Sequence, residues 1–140
     1  MVMKSLEVSA NKLVVAAAQQ LKTVPEIKAP DWVMLVKSGS HNERVPEDED
    51  FWFKRCASIL RTLLVSDKGI VGVRRLQHKY GGRIQHTVAR SHHRKAGGKI
   101  IRVAMQQLEK AGFIKKEKIG RSLTASGKKF LEKAAKTIAA

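Results

Sequence analysis

The sequence predicts a mainly α fold, a helical bundle around one central amphipathic helix with a small β-hairpin near the C-terminus. Three observations predict it. First, in Phe51 to Val65, FWFKRCASILRTLLV, the residues Trp52, Phe53, Cys56, Ala57, Ile59, Leu60, Leu63 and Leu64 fill one continuous arc at about 100° per residue. That arc is wider than the stripe a surface helix needs, so neighbours are expected on at least two sides. Lys54, Arg55 and Arg61 form a narrower stripe opposite, the helix's outlet to solvent or to a partner. Second, apolar residues at helical spacing recur before and after this stretch. Third, a segment beginning at Phe113 alternates, turns and returns as a hairpin would.

Taken in order, Ser9 is placed to cap a helix from Ala10 to Lys22, with Leu13, Ala17 and Leu21 on one face. Ala29-Pro30-Asp31 opens a short helical piece, Asp31 to Val36, whose Trp32, Leu35 and Val36 are expected to pack on the central helix. A polar surface loop runs from Ser38 to Asp50, with His41 and Arg44 as contact candidates. Glu47 to Asp50 place an Asp cap and several carboxylates at the positive end of the central helix dipole. In GIVGVRRLQHKYGG, Val73, Leu76 and Tyr80 recur at helical spacing, leaving Arg74, Arg75, Gln77, His78 and Lys79 on the other faces, and Gly81 stops the helix. GGRIQHTVARSHHRKAGG has glycine pairs at both ends and few apolar anchors, so it reads as a basic, imidazole-rich loop that does not enter the core and stays mobile without an anion. From Lys99, Ile101, Ala104, Met105 and Leu108 define another helix, ended by Gly112. The hairpin follows, with strands Phe113 to Lys118 and Ser122 to Thr124, the turn at Ile119-Gly120-Arg121 and a basic tip. Thr124 caps a last helix with Phe130, Leu131, Ala134 and Ile138 inside.

Length and charge bound the function. The 140 residues suit one domain, 1–140, able to bury roughly two-thirds of its unfolded surface without disulfides or metal. The single Cys56 falls on the apolar arc and reads as a small core residue in a reducing compartment. No apolar run approaches the ~18 to 20 residues of a membrane span, and MVMKSLEVS lacks the apolar region of a secretory signal, so a cytosolic protein is expected. Residues 1–50 hold six Lys/Arg against eight Asp/Glu, whereas residues 51–140 hold 22 against four, a formal +18. From Lys68 to Arg102 there are ten basic residues and no carboxylate. A merely solvated face mixes both signs, so this asymmetry points to a polyanion, and nucleic acid is the expected partner.

The motifs refine that class. Helix, turn, helix, a glycine stop, a hairpin, then Leu123-Thr124-Ala125-Ser126-Gly127 before another helix resembles a winged-helix module, with its core at about 69–140. In such modules the second helix and the wing touch nucleic acid, which nominates Lys99, Arg102 and Gln106 with Lys115, Lys116, Lys118 and Arg121. The long 81–98 segment between the two helices departs from a standard helix-turn-helix and argues against a DNA-binding regulator. A protein-binding adaptor is the other rival, and it predicts affinity insensitive to salt. Five histidines and a cysteine lack metal-ligand spacing: adjacent His92 and His93 diverge and no C-x-x-C exists, so no metal or other cofactor is expected. Gly97-Gly98-Lys99 misses the phosphate-loop pattern at His93 and Ile100, and no nucleophile stands in a catalytic context, so neither a small-molecule substrate nor an enzyme is indicated. In the basic loop, Arg83, His86, Arg90, His92, His93, Arg94 and Lys95 are suited to RNA backbone and unstacked bases.

Nearly the whole chain resembles the archaeal and eukaryotic small-subunit ribosomal protein nineteen, the e-type family. The resemblance rests on PDWVMLVKSGSHNERVPEDEDFWFKRCASILR, VGVRRLQHKYGGR and GGKIIRVAMQQLEKAGFI, which are long and collinear. It implies a helical protein seated on ribosomal RNA in the head of the small subunit, beside neighbouring ribosomal proteins, and needed for maturation of the subunit's precursor RNA. It implies no catalytic residue. The positions that match the family's basic RNA-facing surface are an exposed Arg55 and Arg61, the turn Tyr80-Gly81-Gly82-Arg83, and Arg102. A cytoplasmic ribosome follows from it, with nucleolar assembly in a eukaryotic source.

Overall fold

In the computed structural model, which describes residues 4–84 and 88–139, the central helix runs Phe51–Val65 (α3), as its periodicity requires. Ahead of it lie α1, Lys4–Glu7, and α2, Ala10–Leu21; after it come β1, Ile70–Val71, and α4, Val73–Tyr80. Then follow β2, Gly82–Ile84, β3, His92–Arg94, α5, Gly98–Lys110, β4, Ile114–Lys116, β5, Arg121–Leu123, and α6, Ala125–Ala139. The fold is mainly α and winged-helix-like.

The core forms where α3 meets α2, α5 and α6. Trp52, Cys56, Ala57, Ile59, Leu60 and Leu63 are buried, while Phe53 and Leu64, at the edges of the arc, are half-buried. Leu13, Ala17, Ala18 and Leu21 of α2 meet them from one side and Ile101, Ala104, Met105 and Leu108 of α5 from the other. Burying side chains of this size contributes roughly 1.5–3 kcal/mol each before entropy is charged against it. Gln107 ties the layers: its amide oxygen accepts from Trp52 Nε1 at 2.9 Å and from the Lys28 amide at 3.2 Å, and its Nε2 donates to the Lys28 carbonyl at 2.8 Å.

Two small sheets complete the fold. β1, β5 and β4 form one antiparallel sheet in the order β1-β5-β4, with Ile70 opposite Ser122 and Ile114 opposite Leu123. The wing is therefore stitched to the strand preceding α4. Gly112 ends α5 at φ 83°, a left-handed conformation that a side chain disfavours. Thr124 caps α6 as expected, its hydroxyl accepting from the Gly127 amide at 3.2 Å.

Four local expectations are corrected. Residues 31–36 form turns, not a helix, and Leu35 and Val36 point outward at 77% and 39% exposure; Val33 and the half-buried Trp32 anchor the segment instead. Trp32 meets Trp52 edge to face at 6.1 Å. Neither Ser9 nor Asp50 makes a side-chain cap; the Asp50 carboxylate pairs instead with Lys22 at 2.7 Å. The segment 81–98 is not an unpacked loop: β2 and β3 pair as a hairpin, and Ala96 is 4% exposed. Backbone hydrogen bonds hold it there, since β strands with no apolar face can still satisfy each other's amides.

Candidate nucleic-acid interface

The polar stripe of α3 lies against α4, and this packing decides what its arginines do. Arg55 is not exposed. Its guanidinium lies 3.9 Å from the centre of the Tyr80 ring and 5.1 Å from that of Phe51, held between two aromatic faces. Burial lowers its pKa, partly offset by Tyr80, and the guanidinium keeps its proton in any case. Tyr80 itself is half-buried and donates to the Ser58 hydroxyl at 2.7 Å, so its ring is a support more than a free contact.

Nearly two turns on, Arg61 borders an open cavity of about 530 Å³ with Thr62, Lys68, Arg75 and Lys79 among its walls. Arg61 Nε is buried without a hydrogen-bond partner among the described residues, which makes it a donor awaiting an acceptor. Lys79 donates to Thr62 Oγ1, and its pKa is lowered by burial first and then by the charges of Arg61 and Arg55. The cluster is mutually repulsive, with Asp67 the single carboxylate on its rim. An anion entering would relieve that repulsion. Lys68 was not among the sequence-level candidates; it sits in the turn after α3, where position along the chain gives no hint that it closes this cavity.

The hairpin forms a second basic group. Arg83, Arg90, His92, His93, Arg94 and Lys95 are exposed. Two tethers orient it. The Ala96 amide donates to the Gln77 carbonyl at 2.8 Å, and the Gly97 amide donates to the Ser38 carbonyl at 2.9 Å. Gly81 lies so close to the opposite strand that an added Cβ would stand 2.2 Å from the Arg94 carbonyl oxygen, and at Gly82 a Cβ would stand 2.9 Å from the His41 ring. Both glycines of the turn are thus packing residues. His93 stacks on His78 at 4.4 Å, which pins it to α4. His86 lies outside the described residues.

The remaining candidates divide between free and engaged cations. Arg74, Arg75, Lys99, Arg102, Lys116 and Lys118 are exposed and form no ion pair among the described residues. Lys99 rests its ammonium 4.9 Å from the Trp32 ring centre, and Gln106 is exposed about two turns further along α5. Lys54, by contrast, is bonded to Asp48, which raises the lysine pKa and lowers that of the aspartate. Lys115 pairs with Glu117 at 3.1 Å. Arg121 is not at the wing tip: it lies in β5, with its Nε 3.8 Å from Glu109. The three acids involved are local neighbours in space that charge counting along the chain could not assign. Among the described residues no three His, Cys, Asp or Glu side chains gather to hold a metal, and no helix is long and apolar enough to cross a membrane.

Fold and surface together define a small, basic, winged-helix-like protein. A model of the family "Ribosomal protein S19e" matches residues 4–140. Among similar proteins, the small ribosomal subunit protein eS19 of Aeropyrum pernix is 41% identical over 136 residues, covering 96% of this chain and 88% of that protein. The eS19 protein of Haloarcula marismortui is 40% identical over 90% of this chain and 84% of its own length, and eS19A of Schizosaccharomyces pombe is 35% identical over 92% and 89%. The chain belongs to the ribosomal protein S19e family, whose members are structural proteins and not enzymes.

Proposed function

We propose that this protein is a structural constituent of the small ribosomal subunit that binds ribosomal RNA in the head of the subunit, beside neighbouring ribosomal proteins. We propose further that it is needed for maturation of the subunit's RNA and for assembly. Its place of work is the cytoplasmic ribosome, with a nucleolar stage of assembly if the source is eukaryotic. The observation that carries the reading is the cationic cluster at the α3–α4 seam, where Arg61, Arg75, Lys68 and Lys79 surround one cavity and Arg61 Nε lacks an acceptor among the described residues. Family membership supports the location, since the relatives are named for the small subunit.

Phosphate contacts dominate this binding. The free cations of α4, the hairpin, α5 and the wing face solvent and form no ion pair among the described residues, so neutralising roughly six to ten phosphates gives a log-log salt slope of about −4 to −9. Titrating binding of small-subunit RNA fragments against salt checks this, and a slope near zero would reject RNA in favour of a protein partner. Sedimentation of a tagged copy from lysate checks the location: it should travel with the small subunit.

A further inference from the structure

A second cavity, of about 620 Å³, opens between the 38–44 loop and the β2–β3 hairpin, lined by His41, Asn42, Glu43, Arg44, Arg83 and Ser91. Its back wall is firmly built. The His41 ring is wedged between Gly39 and Gly82, where an added Cβ would fall 2.6 Å and 2.9 Å from its atoms, and the Asn42 amide donates to Ser38 Oγ. Gly39 bridges to Ala96, so loop and hairpin form one unit around the opening.

The chemistry of the lining is mixed in a way that restricts its occupant. Arg83 is exposed and forms no ion pair among the described residues. Arg44 approaches Glu47 only at 4.0 Å with both side chains more than 80% exposed, a weak tie. These guanidiniums suit a phosphate. Glu43 does not, because a carboxylate in the same space repels a plain anion and needs N–H donors of its own. An occupant must therefore bring an anionic group and a pair of donors together. Among the units of RNA, guanosine does so: N1–H and the N2 amino group point the same way from one edge and match two carboxylate oxygens. Adenine and cytosine set an acceptor beside their one amino group, and uracil flanks its N–H with carbonyls. A base can reach such a cavity only when unstacked.

We propose that this cavity takes one unstacked guanosine of the RNA, its phosphate between Arg44 and Arg83 and its Watson–Crick edge on Glu43. The inference rests on RNA being the partner, as above. Fluorescence anisotropy of end-labelled r(UUGUU), r(UUAUU), r(UUCUU) and r(UUUUU) with the full chain tests it. The guanosine pentamer should bind about tenfold more tightly than the others, a size of discrimination that one bidentate base contact can supply. Glu43→Gln should shrink that preference below threefold, and because Glu43 is exposed and unpaired among the described residues, its thermal melt should match that of the parent. Equal affinity for all four pentamers, no affinity for any while an RNA fragment still binds, or a guanosine preference that survives Glu43→Gln would each overturn the guanosine site. A salt-independent rRNA titration, in contrast, would overturn the RNA reading itself.

Discussion

The α3–α4 seam and the β2–β3 hairpin carry the same kind of side chain on opposite kinds of support. Arg55 is held between Phe51 and Tyr80, and Arg61 borders a cavity walled by α3, the turn after it, β1 and α4. Arg94 stands on a three-residue strand that is wholly exposed, and Arg83 is the exposed residue of a strand whose other two residues are half-buried. The two α3 arginines are positioned before any partner arrives, so little of their side-chain entropy remains to be lost on binding; charge on the hairpin is adaptable and loses more. Rigid and compliant cationic surfaces side by side suit a partner whose phosphates are fixed in some places and irregular in others.

The comparison breaks first at the core beneath the seam. Leu60→Ala or Trp52→Ala should cost about 2 to 5 kcal/mol in urea or thermal melts, since both side chains are fully buried. The seam's charges would then lose their scaffold together. A smaller effect, about 1 to 3 kcal/mol, is expected for Gly81→Ala, where the new methyl meets the Arg94 carbonyl and must push the hairpin aside. That variant should weaken RNA binding with a native-like α3, and an unchanged melt together with unchanged affinity would show the close approach to be irrelevant.

Arg61→Glu sharpens the contrast, because it removes a cation from a repulsive cluster without emptying the core. Its stability cost should stay below about 1 kcal/mol while RNA affinity falls at least tenfold. A loss matching that of Leu60→Ala would make Arg61 structural. The smallest effect is kinetic: in free protein the amides of β2 and β3 should exchange faster than those of α3 and slow on the assembled subunit. Equal protection in both states would place the hairpin with the rigid half.

What the sequence made legible follows from the range of the forces involved. The helices were readable because their apolar period is local, and the bounds of α3 came out residue for residue. The wing was readable from its alternation and the Gly112 stop. Strand β1 was not: Ile70–Val71 is two residues long and is a strand only because Arg121 and Ser122, some fifty positions later, pair with it. The β2–β3 hairpin was missed for a related reason, since His92-His93-Arg94 has no apolar face and its partner is defined by backbone hydrogen bonds alone. At the candidate site, residue type was legible but availability was not. Lys54, Arg121 and Arg55 look as free in the sequence as Arg74 does, yet Asp48, Glu109 and a pair of aromatic rings engage them.

The packing of α6 against α1 and α2 has a consequence for how the protein comes into being. Ser5 hydrogen-bonds to Glu132, its hydroxyl 2.7 Å from the carboxylate, and Leu131, Ala134 and Ala135 of α6 are fully buried. Synthesis runs from the N-terminus, so α1 and α2 emerge from the exit tunnel long before the helix that covers them. Until α6 emerges, α2 shows water the apolar face that α6 will close. The nascent chain thus stays unfinished, cationic and partly uncovered until α6 has emerged, a state in which a chaperone able to shield both features would protect it.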